Sequence, residues 1–221
     1  MNRSRLLVFA SGTKDGGGSG FVKLTEAIRD GVLQADIAAV VSNHERGGVW
    51  EKARSLGISF IHFAKPWNAG RYQEIFQMAQ ASHIALSGWL KMVSGLDPRV
   101  TVNIHPGILM DGPGEFGGHG MYGHHVHEAA IKAFQEGRIT HSGLSMHFVT
   151  EQVDGGPVFF RCHVPITKED TPDSLAQKVN AQEHRWQSVI TNLVVTDQIS
   201  WDGENPKSLR LPDDYEIDAW V

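Results

Sequence analysis

Cysteine and long apolar runs are scarce in this 221-residue sequence. Its one cysteine, Cys162, excludes an internal disulfide, and its apolar surroundings favour a buried small side chain over a nucleophile. No apolar run approaches the roughly 20 residues that a membrane-spanning helix needs. The apolar run at 6–10, which follows Arg3 and Arg5, is also too short for the core of a signal peptide. We therefore expect a cytoplasmic protein that has no membrane partner.

Positive charge is not in excess either. Lysine and arginine together number 20 and aspartate and glutamate 25, which gives a net charge of -5. This balance argues against nucleic acid as a partner and against an anionic membrane surface, although a local pocket could still bind a phosphate. Small-molecule substrates are the expected partners, and a homodimer is compatible with the sequence.

The first half of the chain alternates between short β-rich runs and longer segments with helical spacing. This order is typical of an α/β fold in which a doubly wound, mostly parallel, Rossmann-like sheet carries helices on both faces. The strands are predicted at 5–11, 36–42, 58–63, 84–87 and 101–104, and the helices at 21–33, 49–56 and 72–81.

The second half predicts a different arrangement. A helix at 122–135 is followed by extended runs at 142–150 and 158–166, whose spacing indicates an antiparallel strand pair that completes the sheet. A long helix then covers 171–195, with Thr171 as its N-cap and Pro172 in the first helical position. The C-terminal residues 201–221 have mixed charge and predict a surface extension.

Three polar segments fall where predicted strands end. They are the glycine-rich loop 12–20, the segment 88–91 and the pair Asn103 and His105. Ligands of open α/β sheets bind at the carboxyl ends of the strands, so these segments predict one active site at that edge. A glycine-rich loop that opens a helix suits an anion, because backbone N–H groups and the helix dipole both attract negative charge.

Asn103, His105 and Asp154 offer an amide, an imidazole and a carboxylate. The amide can donate a hydrogen bond to a developing oxyanion, and histidine can act as acid or base near neutral pH. Asp154 is expected to hold the orientation of the imidazole and to favour its charged form. The alternative is structural, since Asn103-Ile104-His105-Pro106 could simply be a strand end running into a proline turn.

The order and spacing of several motifs resemble the folate-dependent formyltransferases, most closely the phosphoribosylglycinamide formyltransferases of purine biosynthesis. The resemblance covers roughly residues 5–195. The motifs that carry it are Ser11-Gly12, Val41-Ser42-Asn43, Ser87-Gly88-Trp89-Leu90-Lys91, Asn103-Ile104-His105-Pro106, His147-Phe148-Val149-Thr150, Val153-Asp154-Gly155-Gly156-Pro157-Val158 and Gln182-Glu183-His184.

The resemblance implies one formyltransferase domain over 1–200 that transfers a formyl group from N10-formyltetrahydrofolate, the co-substrate, to the primary amine of phosphoribosylglycinamide. It places catalysis on Asn103, His105 and Asp154. The implied folate pocket consists of Trp89, Leu90, Lys91, Met92, Val93, Thr150, Val153 and Asp154. The expected acceptor site consists of Gly12, Thr13, Gly18, Ser19 and Gly20, which would cradle a phosphate, and of Glu183, which would contact the glycinamide. This chemistry requires no metal and no covalent nucleophile.

The chain departs from the family pattern in two places, and both concern the acceptor. The loop 12–20 is longer than the family's phosphate loop, and a glycine-rich stretch at 107–123 replaces a short segment after His105. The acceptor could therefore be another phosphorylated or sugar-nucleotide amine. A formyltetrahydrofolate hydrolase is a further alternative, disfavoured because such enzymes usually carry an extra N-terminal domain. A non-catalytic folate- or nucleotide-binding module is the alternative from another class of protein.

Four histidines lie close together at the end of the stretch 107–123 and just beyond it, at His119, His124, His125 and His127. His124 and His127 are three residues apart and could share one helix face as metal ligands. No cysteine or paired carboxylate completes a ligand pattern, so we expect these side chains to border the acceptor pocket or to lie on the polar face of the helix.

Overall fold

The computed structural model describes residues 3–110 and 112–221, so Asp111 of the predicted glycine-rich stretch lies outside the described residues. The elements follow the chain in the order β1 (Ser4–Phe9), α1 (Ser19–Arg29), β2 (Ala35–Ser42), α2 (Gly48–Leu56), β3 (Phe60–His62), α3 (Ala69–Met78), β4 (His83–Ser87), β5 (Thr101–His105), α4 (His124–Gln135), β6 (His141–Phe148), β7 (Val158–Pro165), α5 (Pro172–Val195), a 3-10 turn (Pro206–Ser208) and β8 (Asp218–Trp220).

One sheet of eight strands, in the order β3-β2-β1-β4-β5-β6-β7-β8, organises the chain. The strands β1 to β5 are parallel, β6 runs antiparallel to both β5 and β7, and β8 is parallel to β7. The prediction of a doubly wound, mostly parallel sheet with an antiparallel pair and a long helix is confirmed. The strand order reverses direction between β1 and β4, and ligands of such sheets bind at this switch point.

Both faces of the sheet are covered. In β1, Leu6 and Val8 belong to one buried cluster, whereas Leu7 and Phe9 belong to the other. Successive side chains of a strand point to opposite faces, so a strand buried on both faces must be apolar throughout. This explains why β1 could be predicted from a continuous apolar run.

No helix in the described part of the chain has both the length and the apolar character needed to cross a membrane.

The long helix α5 begins as the sequence predicts. The hydroxyl of Thr171 accepts a hydrogen bond from the Ser174 backbone N–H at 3.2 Å, and the Thr171 backbone N–H donates to the Ser174 hydroxyl at 3.0 Å. Pro172 occupies the first helical position, where no backbone N–H is needed. This capping box fixes the start of the helix whose face later lines the cavity.

Other boundaries differ from the prediction. Helix α1 starts at Ser19 and ends at Arg29, because Gly31 adopts a φ of +76° just beyond it. Helix α4 begins at His124 and not at residue 122. The predicted surface extension 201–221 returns to the sheet edge as β8, where the Asp218 carboxylate lies 2.7 Å from Nε2 of His163. Cys162 in β7 is buried, which confirms the prediction.

Candidate active site

A cavity of about 670 Å³ opens at the carboxyl ends of β4 and β5. Its walls are the start of α1 with the loop before it (17–20), the segment after β4 (87–92), the end of β5 (103–106), the start of α4 with the loop before it (118–124), and one face of α5. The predicted segments therefore meet at one edge of the sheet, next to the topological switch point.

Most of the predicted site residues line this cavity. Those that do are Gly18, Ser19, Gly20, Trp89, Leu90, Lys91, Met92, Asn103, His105, Val153, Asp154 and Glu183. Four others, Gly12, Thr13, Val93 and Thr150, are not part of the lining. Val93 packs in the apolar cluster that also contains Trp89, and the Thr150 hydroxyl donates to the Gln152 carbonyl at 3.2 Å.

The first half of the glycine-rich loop contacts α2 and not the cavity. A Cβ on Gly12 would lie 2.7 Å from a methyl of Val49, and the Thr13 carbonyl accepts from the Gly48 backbone N–H at 3.2 Å. The second half reaches the cavity, where Gly17 and Gly18 have φ of +85° and +75°. Gly18 is the N-cap of α1 and provides no side chain to it, so the first N–H groups of this helix remain available to an anion.

The register of β5 and β6 brings Asn103 opposite His147. The Asn103 side-chain nitrogen donates to Nε2 of His147 at 3.1 Å, and Nδ1 of His147 donates to the Phe148 carbonyl at 2.8 Å. Because an amide NH₂ has two hydrogens, the second N–H of Asn103 is left for a ligand. Only the resemblance to the family marks His147 in the sequence, and its position across from Asn103 on the neighbouring strand explains its contact.

Asp154 lies in the turn between β6 and β7 with a φ of +52°, a conformation that is uncommon outside glycine. A Cβ on Gly156 would clash with the Phe148 carbonyl, so the turn can fold closely against β6 only with glycine there. One carboxylate oxygen of Asp154 then lies 3.6 Å from Nδ1 of His105, and the other lies 3.4 Å from Nε2 of His147. Asn103, His105 and Asp154 thus form one cluster.

Burial lowers the pKa of His105, and the opposing effects of the Asp154 carboxylate and the Phe116 carbonyl do not cancel it. The Asp154 carboxylate favours the charged form of the imidazole, as expected, but burial outweighs this effect, so the imidazole is neutral near pH 7. Burial raises the pKa of Asp154, but the adjacent imidazoles of His147 and His105 and the Gly118 N–H together hold it below its ordinary value. The carboxylate is the charged member of the cluster.

The segment after β4 forms an apolar border of the cavity. Leu90 and Met92 are about half exposed there, and Trp89 is buried with its indole N–H donating to the Tyr72 hydroxyl at 2.8 Å. Exposed apolar side chains around a concave site are suited to a flat aromatic ligand. The Ser11 hydroxyl accepts from the Leu90 backbone N–H at 2.9 Å, which fixes this segment to the end of β1.

Helix α5 contributes more residues than the sequence suggested. Ala176, Asn180, Glu183 and Gln187 line the cavity at helical spacing, so Asn180 could have been found by counting one turn back from Glu183. Burial raises the pKa of Glu183 to about 7, and the side chain of Asn180 donates to it at 2.9 Å. Glu183 is therefore close to half protonated at neutral pH.

Only some of the four neighbouring histidines face the cavity. His119, His124 and His127 line the cavity, whereas His125 points to Glu128, 3.2 Å away, on the outer side of α4. Burial lowers the pKa of His127 to about 4, so this imidazole is neutral. Among residues 3–110 and 112–221, no group of three or more histidines, cysteines, aspartates or glutamates is arranged to hold a metal ion.

Comparison with known proteins gives consistent results. Residues 4–191 match the family described as formyl transferase. The chain is 30% identical over 227 residues to the chloroplastic phosphoribosylglycinamide formyltransferase of Arabidopsis thaliana, covering 96% of this chain and 74% of that protein. It is 30% identical over 204 residues to phosphoribosylglycinamide formyltransferase of Schizosaccharomyces pombe, with 82% and 94% covered. Glycinamide ribonucleotide transformylase 1 from Symbiobacterium toebii superposes with a TM-score of 0.78 at 25% identity, over 96% and 95% of the two chains.

Proposed function

The chain belongs to the formyl transferase family, as its motifs indicate, and we propose that it transfers the formyl group of N10-formyltetrahydrofolate to the primary amine of phosphoribosylglycinamide. The observation that supports this most is the cluster of Asn103, His105 and Asp154 in the wall of one large cavity. The chain's likeness to phosphoribosylglycinamide formyltransferases favours this acceptor over others.

The residues present fit both substrates. The apolar border formed by Leu90 and Met92 is suited to the flat pterin of a folate, and the uncapped start of α1 is suited to a phosphate. The cavity of about 670 Å³ lies in the range usual for organic ligands, roughly 300–1,000 Å³. The folate would supply an activated formyl group, and every other requirement falls on the protein.

Transfer of the formyl group requires stabilisation of negative charge on the formyl oxygen. The free N–H of the Asn103 amide is suited to donate to this oxygen, and its hydrogen bond to His147 keeps the amide oriented before the substrates arrive. Preorganised donors of this kind are worth about 3–4 kcal/mol of transition-state stabilisation in comparable reactions.

The amine must also lose a proton as it attacks. His105 is neutral because it is buried, so it is available as a proton acceptor, and the adjacent Asp154 carboxylate would stabilise the imidazolium that forms. We propose Glu183 as the group that holds the amine, since it reaches the cavity from α5 and burial leaves it close to half protonated.

A second acceptor class has one observation in its favour. Residues 118–123, part of the departure from the family pattern, form a wall of the cavity and bring His119 and Tyr122 into it, next to His124. Another phosphorylated or sugar-nucleotide amine is therefore the alternative acceptor.

The test is a steady-state assay with N10-formyltetrahydrofolate and a panel of amines. We expect phosphoribosylglycinamide to give the highest kcat/KM and its dephosphorylated form to give a much higher KM. A sugar-nucleotide amine with higher kcat/KM would overturn the choice of acceptor, and formate release at the same rate without any amine would favour hydrolysis.

A cytoplasmic location, a homodimer and independence from metals are also proposals. The Arabidopsis thaliana relative is described as chloroplastic.

A further inference from the structure

The loop that follows β5 contacts both His105 and Asp154 through its main chain. The Phe116 carbonyl oxygen lies 2.6 Å from Nε2 of His105, and the Gly118 backbone N–H donates to Asp154 at 2.9 Å. A carbonyl oxygen can only accept, so Nε2 must carry the hydrogen. Because His105 is neutral, its lone pair is then on Nδ1, the nitrogen that lies near Asp154.

Asp154 does not hold the His105 ring by a direct hydrogen bond. Its nearest oxygen is 3.6 Å from Nδ1, which exceeds hydrogen-bond distance. The contact to Phe116 at 2.6 Å is short and involves a buried ring that is only 4% exposed. The main chain of the loop therefore determines which ring nitrogen carries the hydrogen, whereas Asp154 contributes its charge.

Gly107 makes this contact possible. A Cβ at this position would lie 2.9 Å from the Phe116 carbonyl oxygen, 2.9 Å from a methyl of Val126 and 3.0 Å from Nε2 of His105. Backbone conformation does not demand glycine here, because the φ of Gly107 is outside the left-handed region. The reason for glycine is space, since any side chain would separate Phe116 from His105.

Other contacts hold the loop in place. Arg138, just beyond α4, binds both carboxylate oxygens of Glu115 at 2.6 and 2.7 Å. Phe116 itself packs against the main apolar core. Next to Gly107, the Leu109 backbone N–H donates to the buried Ser145 hydroxyl at 2.9 Å. A loop fixed at several points is suited to orient a side chain.

We propose that Gly107 and the Phe116 carbonyl are positioning residues that fix His105 with its hydrogen on Nε2, so that Nδ1 is the atom that accepts the amine proton. The inference rests on the proposed function. In the step, the amine N–H bond breaks, its electron pair stays on the amine nitrogen and an Nδ1–H bond forms beside Asp154. The proton returns to the folate nitrogen that leaves the formyl carbon.

The first test is Gly107→Ala in the full-length protein. Ring signals of His105, assigned with His105→Gln, are observed by ¹H–¹⁵N NMR, and we expect the hydrogen on Nε2 in the unmodified chain. The variant should lose this single tautomer and show a kcat reduced at least tenfold, with both KM values nearly unchanged. A hydrogen on Nδ1 in the unmodified chain, or a normal kcat in a variant whose tautomer has changed, would overturn the proposal.

A second variant carries the test if Gly107→Ala does not fold. Arg138→Gln removes the clamp on Glu115 without touching His105, and we expect a second tautomer to appear together with a severalfold lower kcat. Arg71→Gln is the matched control, because Arg71 is equally exposed and pairs with Glu74 at 2.5 Å, away from the cavity. Equal kcat in the two variants, with the tautomer altered only in Arg138→Gln, would count against the proposal.

The tautomer is observed without any substrate, which separates this inference from the proposed function. A single Nε2–H tautomer that Gly107→Ala disrupts supports the positioning role of the loop, even if the chain acts on another amine. Formyl transfer with normal kinetics by a chain whose His105 carries the hydrogen on Nδ1 overturns the inference and leaves the function intact.

Discussion

The Asp154 carboxylate lies 3.6 Å from Nδ1 of His105, close enough to stabilise a positive charge there but too far for a direct hydrogen bond. At this distance Asp154 affects the reaction through its charge. His105 is neutral because it is buried, so the negative charge of Asp154 stabilises the imidazole only after it has accepted a proton.

Replacement of Asp154 by asparagine tests this role. Asp154→Asn keeps the shape of the side chain and removes its charge, so kcat should fall about 100-fold, which corresponds to a loss of about 3 kcal/mol of transition-state stabilisation. Both KM values should change little, because the charge that Asp154 stabilises is absent before the reaction. Near-normal kcat in steady-state kinetics would remove Asp154 from the mechanism.

Glu183→Gln should weaken binding of the amine acceptor and stabilise the folded chain at pH 8. The KM of the amine acceptor should rise at least tenfold while that of the folate is unchanged. Because the pKa of Glu183 is raised to about 7 in the folded chain, the folded state loses stability as the pH rises from about 4.5, the ordinary pKa of the carboxyl, to about 7. The variant should therefore melt at a higher temperature at pH 8 and at an equal one at pH 4. Glu169→Gln, on an exposed turn, is the control and should change neither quantity.

The anion site at the start of α1 can be tested with two matched glycines. Gly18 and Gly31 have φ of +75° and +76°, so alanine imposes the same backbone strain at both positions, and a Cβ on Gly18 would in addition lie 3.0 Å from a methyl of Val49. Gly18→Ala should raise the KM of the phosphorylated acceptor more than Gly31→Ala does, since only Gly18 lines the cavity. Melting temperature with and without the phosphorylated acceptor is a second measurement. Equal KM values in the two variants would contradict an anion site here.

Full activity should survive exhaustive chelation. Within the described ranges, no group of metal-binding side chains is arranged around an ion, and the proposed chemistry needs none. Activity is measured after dialysis against a chelator and again after addition of zinc or manganese. Loss of activity that one of these metals restores would assign the cavity histidines His119, His124 and His127 a role that we do not propose.

The features of the fold and the site that the sequence predicts are those that depend on residues close together in the chain. The buried part of β1, residues 6–9, is apolar because the sheet is covered on both faces, and α5 begins just after Thr171 because its capping residues are close together in the chain. Asn103 and His105 could be placed together because alternate residues of a strand share a face. The second half of the glycine-rich loop was placed correctly by its position before α1.

Contacts between distant segments account for the rest. Gly12 and Thr13 fold onto α2, which no local pattern reveals. The Phe116 carbonyl is a main-chain group of an irregular loop, so residue type carries no information about its contact with His105. Burial lowers the pKa of His105 and the neighbouring Asp154 carboxylate raises it. Which effect is larger is decided only in the folded chain, so the sequence does not predict the protonation state.

The most direct measurement follows the formyl carbon itself. The protein is incubated with N10-formyltetrahydrofolate labelled with ¹³C in the formyl group, together with phosphoribosylglycinamide, and the products are identified by ¹³C NMR. We expect the label to appear in a formamide on the acceptor amine, at a rate that Asp154→Asn lowers about 100-fold. Label found in free formate, at a rate independent of the amine, would contradict this expectation.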